Sequence, residues 1–148
     1  MGSEWCVRNR QTGNSGGCVG LEWEERPWGS WQIIDVDDGY KIKRIHVKPG
    51  CRLSYQMHTY RSEHWVVLAG TATCTVDDET FLAGPGVSVD IAAGAKHRIS
   101  NEGLEELVIV EVQRGSYTGE DDIVRLEDDY GRCPVPPTDR VGADESGS

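Results

Sequence analysis

Residues 50–70 read GCRLSYQMHTYRSEHWVVLAG, and this stretch decides how the chain folds. Gln56 and His58 stand two residues apart in an alternating segment, so a strand turns both side chains to one face. Glu63 follows five residues later and leads into the apolar run Trp65 to Ala69, which reads as a second strand. Thr59 to Ser62 form the connection. Two antiparallel strands joined in this way bring an amide oxygen, an imidazole and a carboxylate to a common point. A second stretch, GVSVDIAAGAKHRISN at residues 86–101, adds another imidazole, His97, just after an Ala-Ala-Gly turn. Gln56, His58, Glu63 and His97 together make three strong ligands and one weak one, a first shell for a divalent cation with positions left open.

The rest of the chain bounds what surrounds that point. At 148 residues the length suits one domain. A hydrophobic content of 37%, a mean hydropathy of -0.50 and 18 glycines fit a small β-rich fold with many tight turns. The net charge of -10 argues against a nucleic-acid partner, which needs clustered lysine and arginine to neutralise phosphates. A small phosphorylated ligand needs only a few local cations. Five scattered cysteines without a C-x-x-C pair speak against a disulfide framework or a zinc knuckle. No signal-peptide pattern and no apolar run of membrane-spanning length are found, so a cytoplasmic protein with no membrane partner is expected.

In chain order, residues 1–22 are rich in Gly, Asn, Ser and Gln and are expected to form a mobile extension. The tryptophan-dense stretch 23–31 is expected to lid one end of a β-barrel. Strands are expected at 31–36, 40–47, 71–76, 80–82, 87–91, 97–100 and 107–113, besides the two around His58 and Glu63, with Asp37-Asp38-Gly39 as a hairpin turn. About ten short strands with turn chemistry between them describe an all-β jelly-roll sandwich. The strand YKIKRIHV at 40–47 carries Lys41, Lys43, Arg44 and His46, and its own pattern leaves open which parity faces inward. The acidic stretch after Arg114 reads as a solvated tail, and the tail from Cys133 to Ser148 as disordered.

Written as G-x5-Q-x-H-x4-E-x6-G over 50–70 and G-x5-A-x-G-x2-H-x3-N over 86–101, the two stretches resemble the signature motifs of the cupin superfamily. Gln56 stands where many cupins have histidine, and Ala92 where proline is usual. The blocks RPWGSW, YKIKRIHVKPG, LSYQMHTYRSEHWVVLAGTA, AGAKHRISN and VQRGSYTGEDDIVRLEDDYGR narrow the likeness. From about Arg26 to Arg132 the chain resembles the cupin domain of type II mannose-6-phosphate isomerases, which in many relatives follows a mannose-1-phosphate guanylyltransferase domain. The resemblance implies a single cupin domain over residues 23–132, without the nucleotidyltransferase half.

That resemblance implies a metal-dependent isomerase interconverting mannose 6-phosphate and fructose 6-phosphate. The cation, whether zinc, manganese, cobalt, nickel or iron, would polarise the sugar carbonyl and hold the enediolate. His64, Lys43 and His46 are the candidates for the proton-transferring base, with strand alternation counting against His64. Arg44, Lys43, Arg52 and Arg125 are expected to meet the sugar phosphate, and Arg61 is either an anchor or a surface charge. Glu111, on a buried-looking strand, is expected to pair with one of these cations. Two other readings remain at this stage: a non-catalytic module binding sugar phosphates or sugar nucleotides, and a small metal-dependent oxygenase using a two-histidine, one-carboxylate set. A homodimer formed through an edge strand is also expected.

Overall fold

A computed structural model describes residues 22–130. The expectations for residues 1–21 and 131–148 lie outside these described residues. Eleven strands are found, in the order β1 (Trp23–Arg26), β2 (Gly29–Asp37), β3 (Tyr40–Val47), β4 (Tyr55–Met57), β5 (Arg61–Ala69), β6 (Ala72–Val76), β7 (Glu79–Ala83), β8 (Ser88–Ile91), β9 (His97–Ser100), β10 (Leu107–Gly115) and β11 (Val124–Glu127). Six of them form one sheet, in the order β1-β2-β3-β10-β5-β8, and five form the other, β11-β4-β9-β6-β7. Every pairing is antiparallel, and the two sheets make an all-β jelly roll. Among the described residues no helix is long and apolar enough to cross a membrane.

Strict alternation on the three central strands of the larger sheet builds the interior. On β3 the inward residues are Lys41, Lys43, Ile45 and Val47; on β10 they are Leu107, Ile109, Glu111 and Gln113; on β5, Arg61, Glu63, Trp65 and Val67. Register aligns like with like. Val47 faces Leu107 and Ile45 faces Ile109, while Lys43 faces Glu111 and Lys41 faces Gln113. Ile109 in turn faces Val67, and Gln113 faces Glu63. The interior therefore has an aliphatic half, which includes Ile99, and a charged half, with Trp28 and Trp31 at the junction: both line the charged cavity, and Lys43 Nζ lies 4.1 Å from the Trp31 ring centroid. Each inward tryptophan ring contributes about 4–6 kcal/mol of apolar burial, comparable to the several kcal/mol that desolvating one ion costs.

The tryptophans do not act as one lid, as the sequence suggested. Trp28 and Trp31 are core residues, Trp31 because β2 alternation turns it inward and Trp28 from the turn just before that strand, whereas Trp23 on edge strand β1 is 55% exposed. Strand β5 also starts earlier than its apolar run implied, so Arg61 and Ser62 belong to the strand and not to a connection. Beside that start of β5, where it pairs with Arg61, Gly115 closes β10. A Cβ there would lie 2.1 Å from the Tyr60 carbonyl oxygen, so glycine alone fits where the chain leaves the sheet.

Candidate metal centre and the adjoining cationic cavity

Three elements converge at the charged half. His58 follows directly on β4, Glu63 points inward from β5, and His97 opens β9. The Ala92–Ala95 turn docks on the first of these: Gly94 N–H donates to the His58 carbonyl at 2.8 Å, with Gly94 at φ +84°. That contact, and the Gln56–His97 pairing of β4 with β9, set the two imidazole rings 4.9 Å apart. One ligand atom from each of His58, Glu63 and His97 lies within 4.8 Å of the other two, and all three side chains are buried.

The tautomers follow from the carbonyl partners. His58 Nδ1 lies 2.6 Å from the Asp122 carbonyl oxygen, and His97 Nδ1 lies 3.0 Å from that of Ala95. A carbonyl oxygen only accepts, so each Nδ1 carries a proton, and each Nε2 is turned towards Glu63, where in the neutral ring it offers its lone pair to a cation. His58 Nε2 is 2.9 Å from Glu63 Oε1, and His97 Nε2 is 3.5 Å from Oε2. Arg61 Nη2 reaches both His58 Nε2, at 3.2 Å, and Glu63 Oε1, at 3.4 Å. Trp65 Nε1 donates to Glu63 Oε2 at 3.0 Å. His97 Nε2 is buried without a hydrogen-bond partner. Two imidazole lone pairs and one carboxylate, with a buried nitrogen left unsatisfied, are a donor set that fits a divalent cation.

Electrostatics agree with that reading. Burial works against ionisation of Glu63, but the His58 hydrogen bond and the charges of His97, His58 and Arg61 outweigh it and hold the carboxyl well below its usual range. Burial lowers His97, only partly offset by Glu63, which favours the neutral ring a metal requires. Glu111 moves the other way: burial and the neighbouring Glu63 charge raise it to about 7. It was expected to pair with a cation, yet its hydrogen bond comes from Gln113 Nε2 at 2.5 Å. Lys43 sits opposite on β3 but turns its ammonium group to Glu120 at 2.5 Å.

The Glu111 shift has a sign that can be tested. An unfolded glutamate releases its proton near pH 4.5, whereas the folded one keeps it to about pH 7. Its contribution is therefore complete below pH 4.5 and is lost as pH rises through 7, a difference on the order of 3 kcal/mol. Glu111→Gln should remove that slope. Urea unfolding at pH 5 and pH 8 should show the variant close to the native chain at the lower pH and more stable at the higher.

Next to the trio lies a cavity of about 70 Å³, lined among others by Lys43, Gln56, Arg61, Glu111, Glu120 and Arg125. Gln56 faces it with its carbonyl oxygen taken by Ser54 Oγ at 2.9 Å. The structure thus brings Arg61, Lys43, Glu111 and Arg125 to one cavity beside His58, Glu63 and His97.

Four expected site residues are elsewhere, and these are corrections. His64 lies on the opposite face of β5 from Glu63, its side chain 40% exposed and its Nδ1 against the Asp90 carboxylate. His46 and Arg44 take the outward parity of β3, His46 meeting Glu106 at 2.6 Å and Arg44 meeting Gln32 at 2.7 Å. Arg52 lies outside the cavity lining and forms an ion pair with Asp129 at 2.7 Å. Period-two alternation decides all but the last of these; a single strand's sequence could not reveal which parity was inward.

Three residues were missed. Lys41 shares the inward parity of Lys43, while Glu120 and Asp122 lie in the stretch read as a solvated acidic tail. Asp122 is buried, its carboxylate accepting from the Thr59 and Tyr60 N–H groups at 2.9 Å each. The signal for it was weak, since one acid among six between 120 and 129 looks like any other.

Fold and site together define a cupin: a double-stranded antiparallel jelly roll with a histidine–glutamate–histidine trio inside one end. Residues 22–128 match the family described as mannose-6-phosphate isomerase C-terminal, and the chain belongs to that family. It is 53% identical over 111 residues to the alginate biosynthesis protein AlgA of Pseudomonas aeruginosa, covering 75% of this chain and 23% of the relative. It is 52% identical over 107 residues to the mannose-1-phosphate guanylyltransferase of Escherichia coli, covering 72% of this chain and 22% of the relative. Its length thus matches under a quarter of these relatives. Among solved structures it resembles the capsular polysaccharide assembling protein CapF of Staphylococcus aureus, with a TM-score of 0.64 at 23% identity over 74% of this chain and 33% of that one. An oxalate decarboxylase from Lactobacillus farciminis gives 0.63 at 24% identity, covering 72% and 33%. These two establish the shared fold.

The matches correct the expected activity. The relatives named above are called a polysaccharide biosynthesis protein and a guanylyltransferase, and neither name is that of an isomerase acting on mannose 6-phosphate. The physical reason lies in the site. Of the three residues expected to move the proton, His64 and His46 face outward and Lys43 is held by Glu120, so none of them serves as expected.

Proposed function

We propose that this chain is a metal-holding cupin domain that binds a phosphorylated sugar and serves an enzyme system making activated sugars for polysaccharide. The observation that carries this reading is the placement of the buried His58, Glu63 and His97 trio against a cavity lined by Lys43, Arg61 and Arg125. His58, Glu63 and His97 would hold the divalent cation, leaving positions open to ligand oxygens. When bound, the cation would polarise or orient a sugar oxygen. Arg61, already 3.4 Å from Glu63, would give up its place beside the carboxylate to the metal and turn to the ligand anion. The names of the relatives point to mannose 1-phosphate as the ligand to try first.

Calorimetric titration of the full chain with mannose 1-phosphate tests this, on metal-loaded and chelator-treated protein. One bound metal ion per chain is expected, with ligand affinity at least about tenfold weaker after chelation. A chain purified without stoichiometric metal, binding the sugar phosphate equally well with and without chelator, would end the proposal.

A further inference from the structure

Residues 116–123 belong to neither sheet and cross the charged end of the barrel as a strap. Several contacts tie the strap down without Glu120. Lys41 Nζ donates to the Thr118 carbonyl at 2.7 Å, and Arg61 Nη1 to that of Gly119 at 3.2 Å. The Asp122 carboxylate takes two backbone N–H groups, and the rings of Tyr60 and Tyr117 meet edge to face at 6.4 Å. Glu120 makes a different kind of contact. Its side chain is 48% exposed, yet it accepts from Lys43 at 2.5 Å and Lys41 at 3.2 Å, whose side chains are only 6% and 10% exposed. Two buried ammonium groups rooted in the sheet thus share one carboxylate, and it comes from a half-exposed loop.

The cavity beneath supplies an independent observation. Its volume is about 70 Å³. Pockets for small molecules run from about 300 to 1,000 Å³. The cavity opens to solvent on one side, and as the strap lies it does not enclose a whole sugar phosphate.

We propose that Glu120 is an internal stand-in for a ligand phosphate: an incoming phosphate takes Lys41 and Lys43 from it, and the strap lifts to admit the rest of the ligand. The sugar part of that ligand rests on the function proposed above; the anion subsite does not. A phosphate dianion has the advantage over the carboxylate, because three oxygens span both ammonium groups and reach the Arg61 fork at the same time. Asp122, pinned by the Thr59 and Tyr60 amides, is the fixed end of the moving segment, so residues 118–121 swing while the carbonyl on His58 stays in place.

The test titrates the full chain and its Glu120→Gln variant with inorganic phosphate, against sodium chloride of equal ionic strength. The variant keeps size and an acceptor oxygen but gives up the competing charge. It should bind phosphate about tenfold more tightly than the native chain, and its lowered melting temperature should recover on phosphate addition. In the native chain, saturating phosphate should speed hydrogen exchange at the amides of Gly119 to Asp121. Equal phosphate affinity in the two proteins would overturn the proposal. Should the variant not fold, unchanged exchange in the native chain at saturation would do so alone. Metal-dependent binding of mannose 1-phosphate alongside equal phosphate affinities would sink the stand-in and leave the proposed function intact. Tighter phosphate binding by the variant, with no mannose 1-phosphate binding, would do the reverse.

Discussion

Replacing Glu63 by glutamine should reduce divalent-metal affinity by at least about 100-fold, since even a supporting partner of a metal ligand is worth 10–100-fold. The substitution keeps the shape and an acceptor oxygen for Trp65 Nε1, which donates at 3.0 Å. What goes is the one carboxylate among three ligand groups, leaving two neutral rings with a neutral amide. The metal-free protein should suffer as well. Arg61 is buried beside Glu63 at 3.4 Å, and removing one partner of a buried pair typically costs about 3–5 kcal/mol. Glu111 should respond in the opposite sense, because part of its rise to about 7 comes from the Glu63 charge. Metal content by elemental analysis, with thermal melts of the chelated proteins, checks both arms. A variant that retained one tightly bound metal ion per chain would remove Glu63 from the centre.

Asp122→Ala should destabilise the chain strongly while leaving the metal trio chemically complete. The carboxylate takes two backbone N–H groups, each a hydrogen bond to a charged acceptor worth about 1.5–3 kcal/mol. Losing both should lower the melting temperature on the order of 10 °C or more for a domain of this size. The Thr59 and Tyr60 amides sit at the turn between His58 and strand β5, so the loss also loosens the approach of His58 to Glu63. Metal affinity should fall by about tenfold, less than for Glu63→Gln, because the imidazoles and the carboxylate all remain. Asp122→Asn, which keeps one acceptor oxygen, should recover part of the stability. Melting curves indistinguishable from the native chain would show that the strap is not anchored through this side chain.

Both variants lie in a region only partly legible from the sequence. The jelly roll was readable because short alternating segments and turn residues recur along the chain, and the observed bounds of β3, 40–47, are those the alternation implied. The gathering of His58, Glu63 and His97 was readable from motif spacing, but not by the expected hairpin: His58 follows β4 in the smaller sheet and Glu63 lies on β5 in the larger one, so the trio meets across the two sheets. Parity was the first obstacle. Lys43 and Arg44 are adjacent and chemically alike, yet one lines the cavity and the other bonds Gln32 on the outside, and only the register with β10 decides between them. Long-range contact was the second. Glu120 and Asp122 act on residues about 60 to 80 positions earlier in the chain, and nothing local marks either acid as different from its neighbours. Arg52 illustrates the same limit, its carboxylate partner Asp129 lying 77 residues further on.

The division of the interior into an aliphatic end and an ionic end, carried by the same three strands, separates two kinds of evolutionary freedom. Mutations near Val47, Leu107 and Val67 act on folding; those near Lys41, Gln113 and Arg61 act on what the molecule recognises. Filling the ionic end with hydrocarbon of matching shape would be expected to harden the barrel while silencing it, since buried ions are rarely kept for stability. A lineage can therefore retune its ligand at one mouth without unsettling the foundation six residues away along each strand.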